Sequence, residues 1–536
     1  MKRKIVLFLC FIIGISFTGC GKQLKSMDGN YMNQNSTQSI GDMKIEMTDM
    51  SSPEAGLTIQ EEQEFNTEEY SSINENRFLS VKNQPLSTFS ADVDTASYAN
   101  VRRLLKDQRS IDPGAVRIEE MINYFHYDYD APKGDEPFSI STELADCPWN
   151  LDTKLLSIGI RAKEFSKEGL PASNLVFLLD VSGSMYSSDK LPLMVSAFKM
   201  LLENLTSADR ISIITYAGKD EILLEGADGA NRLEIATILD ELTAEGSTNG
   251  SAGIETAYAI AEKYFISGGN NRVILATDGD INVGLSSESE LKKLIEQKRE
   301  KGVFLSVLGF GGGNLKDNKL ETLADSGNGN YSYIDSILEA KKVLVEEMGG
   351  TLFTVAKDVK FQVEFNPQNI KGYRLIGYEN RLLQTEDFED DTKDAGEIGA
   401  GHRLTVLYEI VPVDSPMEIK ETDLKYQSNS KSEGSSDEWM TVNIRYKEPD
   451  GEKSILISKP VMKADYREFP SENLQFAACV AQFGMLLRES NYKGTASYEG
   501  ILKQLEKLDA VISDPYKEEF YELIQLASKI TQVFPK

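Results

Sequence analysis

Asp180, Ser182 and Ser184 alternate in the run Asp180-Val181-Ser182-Gly183-Ser184-Met185, so one carboxylate and two hydroxyls can share one side of a turn. Oxygen donors of this kind suit a small hard cation such as Mg²⁺, which takes about six oxygens at about 2.0–2.1 Å and gives up water reluctantly. Two more segments carry matching chemistry. Gly246-Ser247-Thr248-Asn249-Gly250 is a loop of small residues ahead of a helix, and Ala276-Thr277-Asp278-Gly279 closes an apolar run. An ion ligated directly by neutral hydroxyls keeps most of its positive charge. An open position on it can then accept a carboxylate from another molecule, whereas direct ligation by several carboxylates would quench that affinity.

The elements that must position these residues follow from the hydrophobic pattern. Leu175-Val176-Phe177-Leu178-Leu179 is a continuous apolar strand that ends at Asp180. The helix after it aligns Leu191, Met194, Val195, Phe198, Leu201, Leu202 and Leu205 on one stripe, at a period near 3.6 residues. Residues 211–216, 273–276 and 303–308 read as further strands and 222–224 as a short edge strand. Residues 233–242, 253–265, 291–297 and 338–348 read as helices. Continuous apolar strands separated by helices predict a parallel sheet covered on both faces, a doubly wound α/β domain over 172–350. Such sheets bind ligands at the carboxyl edge, where Asp180, Thr248 and Asp278 are expected to meet.

The three-part pattern is D-x-S-x-S, then a Thr in a Gly-rich loop, then T-D-G after a later strand. It resembles a von Willebrand factor type A domain, Rossmann-like in fold, with its metal-ion-dependent adhesion site. The resemblance implies that Ser182 and Ser184 ligate Mg²⁺ directly, with Mn²⁺ or Ca²⁺ as substitutes. It implies that Thr248 ligates directly or through water, and that Asp180 and Asp278 hold coordinated waters and orient the hydroxyls. A protein partner would then supply an Asp or Glu carboxylate as the missing ligand. Further stretches resemble the N-terminal region of a bacterial family of type A lipoproteins: Phe89-Ser90 through Tyr98, Arg117 through Phe125, and Cys147-Pro148-Trp149-Asn150. The C-terminal portion resembles that family too, so the resemblance spans most of 83–536.

The start of the chain reads as an address. Lys2, Arg3 and Lys4 precede an apolar stretch, residues 5–17, that is too short to span a bilayer comfortably. Phe17-Thr18-Gly19-Cys20 resembles the lipobox of bacterial lipoproteins, with Phe17 where Leu is usual. That resemblance implies a signal peptide over 1–19, lipid on Cys20, and anchorage at the extracytoplasmic face of the cell membrane. Each buried methylene of such a lipid contributes ~0.8 kcal/mol. Residues 20–82 are polar and acidic, and they are expected to form a flexible tether spanning roughly 40–50 Å as a coil. An N-terminal α+β module is expected over 83–171. Its first helix carries Tyr98, Val101, Leu104 and Leu105 and takes Asp94 or Thr95 as its cap. Its second carries Ile118, Met121, Ile122 and Phe125. A β-rich domain is expected over 351–467 and a helical region over 468–536, with Phe476, Cys479, Val480, Phe483, Leu486 and Leu487 on one stripe.

Composition excludes some functions. The formal net charge is −28 at a pI of about 4.7, a surface that repels nucleic acid and anionic lipid. Beyond Cys10 and Cys20 only Cys147 and Cys479 remain, so the fold is not a disulfide scaffold, although one bond between these two stays open. The two histidines, His126 and His402, lie outside the α/β domain, and Ser184 has no recognisable base. No H-E-x-x-H or G-x-S-x-G is present, so no enzyme is expected. Asp278-Gly279-Asp280 resembles the start of an EF-hand loop, but Val283 and Ser289 stand where Gly and Glu are required. Gly309-Phe310-Gly311-Gly312-Gly313 misses the dinucleotide spacing at Asn314 and reads as a flexible turn. The expected function is adhesion or assembly at the cell surface through a Mg²⁺-dependent grip. Two alternatives stand beside it: an envelope scaffold whose metal is structural, and a hydrolase with acidic catalytic residues that so acidic a chain conceals.

Overall fold

A computed structural model describes residues 68–91, 94–165, 171–246, 250–279, 288–313, 315–347, 353–393, 395–421, 437–449 and 451–533. The expected α/β domain is built on a six-stranded sheet. Its order is Tyr331–Ile334, Val303–Phe310, Asn270–Thr277, Ser173–Asp180, Arg210–Tyr216, Asp220–Asp228. Neighbouring strands are parallel except the last, which runs antiparallel to Arg210–Tyr216. Side chains alternate between two cores. Leu175, Phe177 and Leu179 pack beneath the helix Leu191–Leu202, while Val176 and Leu178 pack on the opposite face with Ile254, Tyr258, Leu291 and Ile295. Burial on both faces explains why the central strand is apolar without interruption. The edge strand Asp220–Asp228 is longer than expected, because its Asp and Glu residues hide the pattern on a half-exposed edge. The helix Asp317–Ser326 and the strand Tyr331–Ile334 were not foreseen.

Two antiparallel five-stranded sheets form a sandwich beside this domain. One has the order Leu79–Ser80, Ile370–Ile376, Arg403–Pro412, Lys154–Ala162, Phe138–Asp146. The other runs Gly396–Gly399, Thr354–Phe365, Glu438–Lys447, Ile455–Met462, and Leu86–Ser90 also pairs with Thr354–Phe365. Their inner faces share one core of Leu156, Ile158, Ile160, Phe361, Val363 and Val442. The modules expected separately at 83–171 and 351–467 are therefore interleaved, with the α/β domain inserted between them in sequence. The end of the expected tether also belongs to the body. Leu79–Ser80 pairs with Ile370–Ile376, and the Glu69 amide donates to Leu315 O at 3.2 Å.

The helices Glu472–Leu487, Tyr498–Leu505 and Pro515–Val533 pack with Ala96–Lys106 and Ile118–Asn123 around a fourth core. Phe125, Phe476, Phe483 and Phe520 meet there edge to face at 4.9–5.6 Å, a favoured geometry for aromatic pairs. Cys147 and Cys479 are buried in the same core as free thiols. Burial pushes the Cys147 thiol up to about 12 and raises Cys479 as well, so both behave as small apolar side chains. The expected side-chain cap of Ala96–Lys106 is absent: Thr95 makes no cap bond. Asp94 instead accepts from the Tyr331 amide at 3.0 Å and from Arg381 at 3.1 Å, where a charged partner outcompetes the helix end. Among the described residues no helix is long and apolar enough to cross a membrane.

Candidate metal centre

Asp180 ends the central strand of the α/β sheet and is fully buried. Strand order reverses there, since Arg210–Tyr216 and Asn270–Thr277 flank it on opposite sides, which is where such sheets open a crevice. The Asp180 carboxylate accepts three hydrogen bonds: from the Ser182 amide at 2.9 Å, the Thr277 hydroxyl at 3.0 Å and the Tyr216 hydroxyl at 3.2 Å. Burial pushes its carboxyl above the ordinary range, with the Asp278 charge adding to the effect and the Ser182 and Thr277 bonds opposing it. Saturated in this way, Asp180 fixes the turn above it. Ser182 Oγ and Ser184 Oγ consequently lie 3.0 Å apart.

The second loop arrives as expected. Thr277 reaches Asp180 directly, and Asp278 follows it, 2 % exposed. Its Oδ2 receives Lys190 Nζ at 3.0 Å, and the same ammonium donates to Ser184 O at 3.0 Å. Thr248 of the third loop lies outside the described residues, as do Asp280 and Asn282 of the EF-hand-like stretch. The described edge of the third loop does reach the turn. Gly246 O accepts from the Gly183 amide at 3.0 Å, and the Glu245 amide donates to Val181 O at 2.8 Å. Beside these loops opens a cleft of about 780 Å³, lined among others by Ser184, Tyr186, Lys190, Arg103 and Arg109.

The donor chemistry fits a hard divalent cation. Two neutral hydroxyls stand together above two buried carboxylates. The hydroxyl oxygens at this site are those of Ser182 and Ser184, 3.0 Å apart. Sequence reasoning had not assigned a role to Lys190, Tyr216 or the Thr277 hydroxyl. Lys190 stands at the N-terminus of the helix after the turn, and only the fold reveals that it points back onto Asp278. Neither histidine approaches this centre: His126 lies 3.5 Å from Glu347, and His402 sits in a turn that receives the Ala162 amide.

Fold and site together define a von Willebrand factor type A domain, and the model of that domain matches residues 174–346. A von Willebrand factor model matches residues 64–157, and the model for the C-terminal part of the uncharacterized protein YfbK matches 350–530. The chain belongs to the YfbK family: it is 44% identical over 476 residues to YfbK of Escherichia coli (strain K12), covering 87% of this chain and 82% of that protein. Similarity to human inter-alpha-trypsin inhibitor heavy chain H3 is narrower, 32% over 179 residues, or 31% of this chain and 19% of that protein. Among solved structures, a von Willebrand factor type A protein from Catenulispora acidiphila aligns with 73% of this chain and 89% of its own (TM-score 0.39, 16% identity). Proximal thread matrix protein 1 from the mussel byssus, with a zinc-occupied adhesion-site motif, aligns with 35% of this chain and 46% of its own (TM-score 0.29, 21% identity). Domains of this class can hold a divalent metal at that motif and typically bind protein ligands.

Proposed function

We propose that the protein is a non-enzymatic binding module at the cell surface, held to the membrane by lipid on Cys20. It grips a protein partner through a Mg²⁺ ion held by Ser182, Ser184 and Thr248. When bound, the ion supplies an electron-poor position that accepts an Asp or Glu oxygen of the partner. The observation that carries this reading is the pairing of the Ser182 and Ser184 hydroxyls at 3.0 Å above a buried, hydrogen-bond-saturated Asp180. Neutral donors face the ion while the carboxylate beneath them is spent on the loop, so the metal charge stays available to a foreign carboxylate. At a formal net charge of −28 the rest of the surface repels an acidic partner, so its attachment should depend on the metal.

The test is capture of envelope proteins on the immobilised full chain, with Mg²⁺ and with EDTA. Retained partners should elute on chelation and should be absent from a Ser184→Ala column. Capture that survives EDTA would favour the scaffold reading, with a structural metal. Labelled palmitate should appear on the wild-type chain and be absent from Cys20→Ala; equal labelling would remove the anchor.

A further inference from the structure

Lys190 is the cation that contacts Asp278 and the Ser184 turn, and its seat is built for it. The ammonium bridges two loops, 3.0 Å from Asp278 Oδ2 and 3.0 Å from Ser184 O. Its side chain is only 13 % exposed although lysines ordinarily keep their heads in water. The stem lies in a groove made by Gly311. A Cβ there would stand 2.3 Å from Lys190 Cγ and 2.4 Å from Cε, and Gly311 has φ +66°. Glycine is therefore favoured here both by its backbone and by the lysine beside it. Gly311, in the glycine run after Val303–Phe310, thus makes room for the stem of a lysine that reaches the candidate metal centre.

We infer that Lys190 is the internal counter-ion of the site: it pairs with Asp278 and competes with a divalent cation for that carboxylate. The inference rests on the metal reading above. Two buried carboxylates, Asp180 and Asp278, need compensation when no metal is bound. One ammonium supplies it. A divalent cation among the same oxygens would face that ammonium a few ångströms away, and like charges at such range repel strongly in a half-dry site. Metal entry therefore displaces Lys190 from Asp278 toward the adjoining cleft, whose wall carries Asp107 and Asp189 as well as Arg103 and Arg109. Lys190 keeps the empty site folded and lowers its affinity, so that the site responds to the supply of metal and is not permanently filled.

The experiment is calorimetric titration of the full chain with Mg²⁺, paired with thermal melts in EDTA, for wild type, Lys190→Gln, Lys190→Met and Lys190→Arg. Lys190→Gln keeps a hydrogen-bond donor and loses the charge, so it serves should Lys190→Met fail to fold. The neutral variants should bind Mg²⁺ roughly tenfold or more tightly than wild type. They should melt lower in EDTA and gain more from added Mg²⁺, while Lys190→Arg stays near wild type. Wild type that binds Mg²⁺ with neutral variants binding equally or more weakly would overturn the counter-ion role and leave the metal reading standing. Failure of wild type and of both neutral variants to bind Mg²⁺ would overturn both.

Discussion

Within the site, Asp180 and the two serines do different jobs, and substitution separates them. Asp180→Ala leaves the Ser182 amide and the Thr277 and Tyr216 hydroxyls without their acceptor in a buried place. Each such group that stays buried costs about 1–3 kcal/mol. Ser184 is exposed, and its replacement by Ala is expected to change stability by no more than about 0.5 kcal/mol. Both variants should lose Mg²⁺ binding, but only Asp180→Ala should melt well below wild type in EDTA. Equal melting of the two would contradict the division of labour. Asp180, Ser182, Ser184 and Asp278 were legible in the sequence because their spacing is local and each ends or follows an apolar strand. Tyr216 and Lys190 were not, since one acts from a neighbouring strand and the other by folding back from a helix start.

Among the elements, the long apolar strands of the α/β sheet were legible, whereas its irregular edge strand and the four-residue Tyr331–Ile334 were not. Ser173–Asp180 and Asn270–Thr277 are buried throughout, whereas Asp220–Asp228 shows an irregular, half-exposed pattern with register shifts against its neighbour. The helix that closes the α/β domain, Ile337–Lys341, continues as a π-helical turn over Lys342–Glu346, a geometry no side-chain periodicity announces. It ends at Glu347. Burial would raise the Glu347 carboxyl, but Lys342 and His126 outweigh it and hold it down at about 2. Nearby, burial pushes the His402 imidazole down to about 4. Both folded values lie below the unfolded ones, so the unfolded chain binds more protons and stability falls as pH falls. The His402 contribution is complete above about pH 6.5 and is lost towards pH 4, on the order of 2–3 kcal/mol. The Glu347 contribution is lost between its ordinary value and about pH 2. Urea denaturation of His402→Leu should show a flatter stability profile between pH 6.5 and 4 than wild type. An unchanged slope would contradict the assignment. The backbone bonds of His402 to Gly399 and Ala162 survive that substitution.

The whole molecule is held together by buried ion pairs between parts that are remote in sequence. Arg102, on Ala96–Lys106, binds Asp335 and Glu339 of the α/β domain and Glu519 of the last helix. Arg117 binds Asp317 of the α/β domain, and Arg381 of the sandwich binds Asp94 and Glu321. Breaking such a pair strands its partners in a dry interior. Arg102→Met should destabilise the chain by about 3–5 kcal/mol in urea denaturation, and a loss below roughly 1 kcal/mol would show that these contacts are incidental. The burial of Glu339 already raises its carboxyl against the pull of Arg102 and Lys342, so removal of Arg102 is expected to protonate it. None of this was legible beforehand. Leu86–Ser90 is a short strand, and nothing local reveals that Phe89 lies opposite Phe361. Pairing across an inserted domain is decided by which apolar faces are left to cover one another, and that is a property of the assembled sheets.

The central claim is that hydroxyl oxygens from separate loops hold one cation. Crystals of the full chain grown with Mn²⁺ and measured at the manganese absorption edge test it most directly. The account predicts a single strong anomalous peak within metal–oxygen contact, about 2.1 Å for the smaller Mg²⁺, of Ser182 Oγ and Ser184 Oγ. Thr248 should lie in the same shell and Asp180 should remain hydrogen-bonded beneath it. A peak elsewhere, or no peak at saturating Mn²⁺ with the turn intact, would contradict it.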